Sequence, residues 1–358
     1  MNINLVAPIN QLGYGVAGLN IAKCLDEHSD VSLFPMGPIE VTNQEDAEYI
    51  RKCLHKSQML DFKAPCIKIW HQHDMAQFAG KGKRVAFPFF ELNVFNDIEK
   101  HHLNNVDMIF VTCDWAKDIC VNNLDIHEDK IKTIPLGVDN NIFHPNHNIS
   151  AGKTIFYNCG KWEIRKGHDV LVDMFCKAFN EDDNVELWMM CSNPFLQPQE
   201  QKEWENLYIN SKLGSKIKIL PRAKTQTEVY NIMSEIDCGV FPSRAEGWNL
   251  ELLELMSCGK NVIATNYSAH TAFCDKSNCN LVDIKETESA YDGKWFFGSG
   301  DWAKIEDSQI DAFVDIMRSI HNKKQNENLP INQGGIKTSE NFSWSNSARK
   351  IIQHVQLF

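Results

Sequence analysis

Two carboxylates stand close together in the most informative stretch of the chain, residues 238–273. Glu246 lies in a turn with glycine, and Glu254 lies in a helix predicted from about Leu250 to Cys258. The start of a helix offers unpaired N–H groups and partial positive charge, which favour a phosphate. Carboxylates are poor partners for phosphate but good acceptors for sugar hydroxyls. The turn therefore combines a phosphate-friendly helix start with acceptors for hydroxyl groups.

Basic residues crowd a second loop, which follows a strand predicted over residues 154–158. Lys161, Arg165 and Lys166 lie in this loop between two glycines. Such a cluster at a strand-to-helix turn could hold an anion, although solvated surface charges would look the same in this loop alone. Both loops are predicted at the carboxyl ends of strands in one parallel sheet, so both can face one ligand.

A Gly-x-Gly-x-x-Gly pattern at residues 13–18 follows the first predicted strand and precedes a helix predicted over residues 19–27. This spacing is typical of a dinucleotide-binding turn, which also needs an acid at the end of the second strand. The second predicted strand, residues 31–34, ends in Pro-Met-Gly-Pro, so NAD binding is disfavoured. The glycines remain suited to a tight turn that brings the backbone close to a ligand.

Histidines follow the strand predicted over residues 66–70. His71, His73 and Asp74 could bind a metal, transfer protons or line a ligand cleft. No third metal ligand is spaced nearby, which disfavours a metal site. A structural histidine and a histidine that faces a ligand both stay open.

The composition bounds the remaining functions. The chain has 358 residues and is 43% hydrophobic, enough for two domains, and its net charge of −11 argues against a nucleic-acid partner. No basic segment precedes an apolar run at the N-terminus, and no long apolar stretch predicts a transmembrane segment. The twelve cysteines occur singly, without a Cys-x-x-Cys pair. We therefore expect a cytoplasmic protein.

Predicted strands and helices alternate along most of the chain, which is typical of α/β domains with parallel sheets. The alternation breaks at residues 140–152, a segment rich in Asn, His and Pro, and resumes at residue 154. We interpret this segment as an interdomain linker.

These motifs resemble those of the retaining glycosyltransferases of the GT-B fold, sugar-transferase family 4, also described as glycosyl transferases group 1. The most specific similarity is residues 241–264, which contain the paired glutamates. Residues 13–18, 134–145, 160–167 and 342–344 support it, so that the resemblance covers nearly the whole chain.

The resemblance implies two Rossmann-like parallel-sheet domains that face each other across a cleft. The first would span residues 1–150 on the acceptor side, and the second, residues 151–342, would bind the nucleotide sugar. A C-terminal crossover helix within residues 343–358 would return to the first domain and complete it.

The resemblance also implies roles for individual residues. Lys161 and Lys166 would hold the donor diphosphate, Glu246 the donor-sugar hydroxyls, and Glu254 the ribose hydroxyls. His73 would reach the donor sugar from the first domain. Backbone near the donor would come from Gly13, Gly15, Gly247, Trp248, Asn249 and Leu250.

The chain departs from the family pattern at three of these positions. Position 161 is Lys where Arg is common, so the charge is kept but the bidentate fork is lost. Trp248 and Asn249 replace the usual phenylalanine and glycine. We expect this pair to decide the choice of donor sugar.

The implied reaction is transfer of a hexose-type sugar, with retention, from a UDP- or GDP-linked donor to an acceptor hydroxyl. Neither a metal nor a cofactor would take part, and the acceptor could be a glycan, a lipid-linked molecule or a protein. Two alternatives stay open. One is a sugar-nucleotide epimerase that uses His73, Asp74 and Glu91; the other is a protein that binds a sugar nucleotide or glycan without turnover.

Overall fold

The computed structural model describes residues 1–146 and 152–357. The chain divides into two compact units: Met1–Asp139 together with Asn341–Phe358, and Asn140–Glu340. Each unit contains a six-stranded sheet in which all the paired strands are parallel. The predicted α/β class is confirmed.

The first unit has the strand order β2-β1-β3-β4-β5-β6. Its strands are β1 (Asn2–Ala7), β2 (Asp30–Pro35), β3 (Cys66–Lys68), β4 (Arg84–Ala86), β5 (Met108–Val111) and β6 (Ile131–Thr133). Its helices before residue 140 are α1 (Gly13–Asp26), α2 (Gln44–Ser57), α3 (Asp97–Asn104) and α4 (Asp114–Asn123). The sequence interpretation did not include α3.

Helix α1 begins six residues earlier than predicted, so the expected glycine loop at residues 13–18 is wrong. The glycines are part of the helix because they allow it to pack closely on the segment before it. A Cβ atom at Gly15 would lie 2.3 Å from Oδ1 of Asn10, and one at Gly18 would lie 2.4 Å from the carbonyl oxygen of Pro8. Gly13 has no such neighbour within 4 Å.

The second unit has the strand order β12-β11-β10-β7-β8-β9. Its sheet strands are β7 (Thr154–Gly160), β8 (Val185–Cys191), β9 (Ile217–Ile219), β10 (Cys238–Phe241), β11 (Asn261–Asn266) and β12 (Asn280–Asp283). A separate antiparallel hairpin consists of β13 (Thr287–Tyr291) and β14 (Phe297–Ala303). The helices are α5 (His168–Ala178), α6 (Pro198–Ile209), α7 (Gln226–Glu235), α8 (Leu250–Ser257), α9 (Asp307–Asn326) and α10 (Gln333–Asn341).

The predicted strand–helix–strand unit around residues 238–265 is confirmed as β10, α8 and β11. Helix α8 ends at Ser257, and Gly259 then adopts a φ of +72°, a conformation that suits a residue without a Cβ atom. The sequence also predicts a helix over residues 313–321, and in the structure these residues are part of the longer α9. The β13–β14 hairpin was not predicted.

The last helix, α11 (Trp344–Val355), packs against α1 in the first unit. Ser343 caps it by accepting a hydrogen bond from the backbone N–H of Asn346. The hydroxyl of Ser347 donates to the carbonyl of Pro135, which fixes the helix to the segment after β6. In the described residues, no helix is long and apolar enough to cross a membrane.

All twelve cysteines are free thiols, and only Cys24 and Cys176 are less than fully buried. Cys120 in the first unit and Cys238 in the second are completely buried, and burial raises the pKa of both thiols well above its usual value. These side chains therefore behave as small hydrophobic groups in the two cores.

Candidate active site

Two loops meet at one edge of the second sheet because their strands are neighbours. Strands β7 and β10 pair in parallel, with Phe156 opposite Cys238. Their following loops, residues 161–167 and 242–249, leave the sheet at the same carboxyl edge, where α/β proteins bind ligands. A backbone hydrogen bond of 2.7 Å from Arg244 to Arg165 joins the loops.

A buried ion pair joins the two loops at their centre. Nζ of Lys166 lies 3.0 Å from Oε1 of Glu246, which also accepts a 2.9 Å hydrogen bond from the Ser243 hydroxyl. Both charged residues are buried, with Lys166 8% and Glu246 5% exposed. The structure thus brings together two residues to which the resemblance gave different parts of the donor.

The charges of the pair hold both groups ionised despite burial. Burial by itself would raise the pKa of Glu246, but the charges of Lys166 and Arg165 outweigh burial and keep that pKa well below its usual range. Burial would likewise lower the pKa of Lys166, and the Glu246 carboxylate keeps it raised instead. The site therefore contains a fixed carboxylate and a fixed ammonium at neutral pH.

Arg165 and Glu163 extend the ion pair. From the sequence, Arg165 was expected only as a member of the basic cluster that could hold an anion, and Glu163 was assigned no role. The Arg165 guanidinium donates to Oε2 of Glu163 at 2.7 Å and to Oε2 of Glu246 at 2.8 Å. Lys161 lies 2.8 Å from the other oxygen of Glu163. The connected group therefore holds three cations and two carboxylates, which leaves one positive charge in excess. The alternation of acids and bases over residues 161–166 was the available signal.

A buried, neutral histidine holds the 161–167 loop in place. Burial lowers the pKa of His168 to about 3. Its Nδ1 accepts from the backbone N–H of Glu163, and its Nε2 lies 2.9 Å from Oδ1 of Asn158. The amide nitrogen of Asn158 donates to Val240, so Oδ1 is the acceptor and Nε2 carries the histidine proton. His168 thus ties the loop to β7 and β10 without adding charge.

Asn249 occupies the turn into α8 in a left-handed conformation, with a φ of 83°. Its side-chain oxygen accepts from the backbone N–H of Leu252, and its amide nitrogen lies 2.9 Å from Nε2 of His270. Because Nδ1 of His270 faces the carbonyl of Thr265 and must carry the proton, Nε2 accepts from Asn249. Asparagine is among the few residues that tolerate this conformation, which explains how it replaces the usual glycine.

The residues around Asn249 can offer backbone groups to a ligand, because their side chains are buried. Trp248 is 3% exposed and packs on Phe273, with ring centroids 4.9 Å apart, and Gly247 is buried beside it. Leu250 and Glu251 begin α8, and their backbone N–H groups have no carbonyl partner within the helix. The turn therefore offers N–H donors at a helix start, as the sequence predicted.

Glu254 lies one turn further along α8. It is 7% exposed, and burial, together with the nearby charge of Glu251, raises its pKa to about 8. Within the described residues, its carboxylate makes no hydrogen bond or ion pair. A buried carboxyl group without a partner is costly, and it suits a site that a ligand hydroxyl completes.

The remaining candidates, Gly13, Gly15 and His73, belong to the first unit. The rings of His71 and His73 stack with centroids 5.4 Å apart, and Nζ of Lys68 lies 3.3 Å from the carboxylate of Asp74. No group of three or more His, Cys, Asp or Glu side chains suited to a metal ion occurs in residues 1–146 or 152–357. No further metal ligands therefore join the two histidines there.

The ion-pair site of the second unit lies within a segment that matches a known family. Residues 153–292 match the family model named Glycosyl transferases group 1. This segment is similar to glycosyl transferases group 1. The match includes the Lys161–Lys166 loop, Glu246 and Glu254, so the recognition made from the sequence motifs is confirmed at the level of this family. No curated protein matches the chain significantly.

Solved structures of glycosyltransferases share the whole fold. Sucrose-phosphate synthase from Thermosynechococcus elongatus is 16% identical, with a TM-score of 0.72 over 100% of this chain and 98% of that one. Anabaena HepE, in a complex with UDP-glucose, is 17% identical, with a TM-score of 0.71 over 100% of both chains. A glycosyltransferase from Rickettsia africae is 18% identical, with a TM-score of 0.70 over 99% of this chain and 98% of that chain. The predicted GT-B fold is confirmed.

Proposed function

We propose that the protein transfers a hexose-type sugar from a nucleotide-diphosphate donor, UDP- or GDP-linked, to an acceptor hydroxyl with retention of anomeric configuration. The observation that carries this proposal is the buried Lys166–Glu246 pair, 3.0 Å apart, at the junction of two strand-end loops. The pair lies inside the matched family segment. It places a cation for phosphate next to an acceptor for sugar hydroxyls.

The diphosphate of the donor is assigned to Lys161, Lys166 and the start of α8. The connected charge group has one positive charge in excess, and Lys161 is its most accessible member, with 36% of its side chain exposed. The first N–H groups of α8 add partial positive charge. The structure of HepE with UDP-glucose supports a nucleotide sugar as the ligand of this fold.

Charge at the leaving group would drive the reaction. As the bond from the anomeric carbon to the diphosphate breaks, negative charge accumulates on the phosphate oxygens, and fixed cations stabilise that state more than the ground state. Lys166 can turn from Glu246 to the phosphate, because Arg165 still balances the Glu246 carboxylate. For retention, the acceptor would attack from the face that the diphosphate leaves, and the departing phosphate would take the acceptor proton.

The carboxylates have separate tasks in this proposal. Glu246 stays ionised and accepts hydrogen bonds from donor-sugar hydroxyls, which orients the sugar ring. Glu254, buried and without a protein partner among the described residues, receives the ribose hydroxyls. The backbone of Gly247, Asn249 and Leu250 lies between them along the chain. Trp248 and Asn249 act on donor choice through the shape of this turn, since their side chains are engaged with Phe273 and His270.

The first unit is proposed to contribute His73 to the donor sugar and the segment at Gly13 and Gly15 to the diphosphate. The transfer requires no metal or cofactor in this proposal. Because α1 begins at Gly13, any backbone contribution at that position comes from the first turn of a helix.

The test is a screen of UDP- and GDP-linked hexoses with the purified protein, first without acceptor. We expect slow release of UDP or GDP from one donor, an unchanged rate in the presence of EDTA, and loss of release in Glu246→Ala. A donor that is converted to its epimer without nucleotide release would indicate an epimerase. Donor binding without either reaction would indicate a binding protein, and both results would overturn the proposal.

A further inference from the structure

The β13–β14 hairpin lies over the carboxyl edge of the second sheet. At its base, the backbone N–H of Ala303 donates to the carbonyl of Arg244, and the Arg244 guanidinium lies 5.9 Å from the ring centroid of Trp302. At its tip, Lys294 forms an ion pair with Glu200 at the start of α6. The hairpin is therefore held at the loop after β10 and at the segment after β8.

The sheet order determines what lies between these two attachments. Strand β7 stands between β10 and β8, so a hairpin fixed beyond both neighbours must pass the loop after β7. That loop contains Lys161 and Lys166, to which the donor diphosphate is assigned. The hairpin is thus an element beside the proposed donor site and is contributed entirely by the second unit.

Exposed aromatic side chains are concentrated on this hairpin and the adjoining loop. We call Phe195, Tyr291, Trp295 and Phe297 the aromatic row; they are 55%, 63%, 44% and 67% exposed. Phe62 is the one other strongly exposed large aromatic side chain in the described residues. Such clustering in water is unfavourable unless the surface binds something.

One end of the aromatic row reaches the charged loop. Tyr291 and Phe297 are cross-strand partners, with ring centroids 6.5 Å apart. Phe195 lies 6.2 Å from Trp295, and Nζ of Lys161 lies 5.7 Å from the Phe195 ring centroid. A ligand on the row would therefore extend to the place where the donor phosphates are assigned.

The charges on the hairpin narrow the class of ligand. Residues 287–303 contain three carboxylates and one lysine. An anionic hairpin is repelled by an anionic lipid surface, which attracts basic segments instead. Aromatic faces suit the apolar ring faces of a sugar chain.

We propose that the aromatic row binds a neutral oligosaccharide. The binding of the saccharide does not depend on the proposed function. Recognition would come from stacking of sugar rings on Tyr291, Trp295 and Phe297, and Phe195 would guide the chain end towards Lys161.

The test compares the wild-type protein with the triple variant Tyr291→Ala, Trp295→Ala, Phe297→Ala. Binding is measured on an array of immobilised neutral oligosaccharides and by titration with chitohexaose, cellohexaose and maltohexaose. We expect the wild-type protein to retain at least one class of oligosaccharide and the triple variant to bind it at least tenfold more weakly. Phe62→Ala is the matched control, because it removes an exposed aromatic ring from the first unit, and it should bind as the wild type does.

Two further measurements keep the outcome unambiguous. Trp295→Ala alone and a thermal melt of each variant separate lost binding from lost folding. Sedimentation with phosphatidylcholine or phosphatidylglycerol vesicles that depended on the row would overturn the proposal in favour of lipid. An empty array, or equal binding by the triple variant, would also overturn it. Release of UDP or GDP by the wild-type protein without acceptor tests the proposed function separately.

Discussion

The two units each contain a junction between their first strand and the helix that follows, and the two junctions are built differently. Between β1 and α1 the chain is uncharged, and its glycines lie inside the helix, where they pack on Asn10 and Pro8. Between β7 and α5 the chain carries four charged residues, and Gly160 and Gly167 have positive φ angles of 131° and 73°. The difference teaches that glycine serves packing in one junction and turning in the other.

The comparison also shows which signal points to a ligand. The glycine pattern after β1 marks a helix that packs closely on the segment before it. The paired charges at the carboxyl end of β7 mark a candidate ligand site, because an anion stabilises a buried group with a net positive charge. Six variants can break or sharpen this contrast.

Replacing Arg165 by Met should have the largest effect. The substitution leaves the buried Glu163 and Glu246 without their shared partner, and breaking a buried charge network costs about 3–5 kcal/mol. The pKa of Glu246 should rise, because one of the two cations that lower it is gone. Denaturant unfolding should show the loss, and the acid limb of the pH–rate profile should move to higher pH. An unmoved acid limb would mean that Arg165 has a purely structural role.

Lys166→Ala should lower kcat/KM for the donor by about 10²–10³-fold, the usual loss when one group that stabilises transition-state charge is removed. Steady-state kinetics with the donor found in the screen measure the effect. Lys177→Ala is the matched control, since that lysine lies on α5 with half of its side chain exposed and pairs with Asp311. Equal kinetics in both variants would remove Lys166 from the site.

Alanine at Gly167 and at Gly15 should separate the two uses of glycine. At Gly167, a Cβ atom would lie 2.0 Å from the carbonyl oxygen of Pro242 in a left-handed backbone conformation, so stability should fall by about 2–4 kcal/mol. At Gly15, overpacking against Asn10 should cost about 1–3 kcal/mol. Thermal melts report both losses. Gly167→Ala should also lower donor turnover more, and a larger turnover loss in Gly15→Ala would contradict the contrast.

Glu254→Gln should stabilise the protein increasingly as the pH rises. The folded-state pKa of about 8 lies above the ordinary value of 4.5, so ionisation of Glu254 opposes folding progressively between these pH values and does not do so below them. The stability difference should grow by up to about 1.4 kcal/mol per pH unit in this window. Denaturant unfolding at pH 5, 6.5 and 8 tests the trend; Glu235→Gln, at the end of α7, should show no comparable trend. A difference that is constant with pH would show that Glu254 is ionised throughout.

Gly13→Ala should have the smallest effect. No atom lies within 4 Å of a Cβ atom placed there, and alanine favours the helix over glycine by about 0.5–1 kcal/mol. A small rise in the melting temperature is therefore expected. A clear loss of stability would show that the first turn of α1 packs more tightly than its neighbours indicate.

Sequence patterns predicted the elements whose ends carry strong local signals. Helix α8 was predicted to within one residue, because Gly259 ends it and the apolar strands β10 and β11 flank it. The start of α1 was missed because the role of its glycines depends on contacts with residues 8–10.

The candidate site shows the same limit. Lys161, Lys166, Glu246 and Glu254 were named from their chemistry and spacing, and their assigned roles stay predictions. The bridging position of Arg165 was not foreseen, since it depends on β7 and β10 being neighbours in the sheet. The β13–β14 hairpin was missed because its glycines and its register shift interrupt regular alternation.

The reactivity of the buried cysteines can be used to measure the opening of each unit separately. A thiol reacts as thiolate, and Cys120 and Cys238 are both inaccessible and weakly acidic in the folded chain. Alkylation of either residue therefore requires that its unit opens first, and its rate measures how often that happens. Mass spectrometry of the two peptides would follow both openings in one unmodified sample. If a nucleotide sugar binds the second unit, it should slow the alkylation of Cys238 and not that of Cys120.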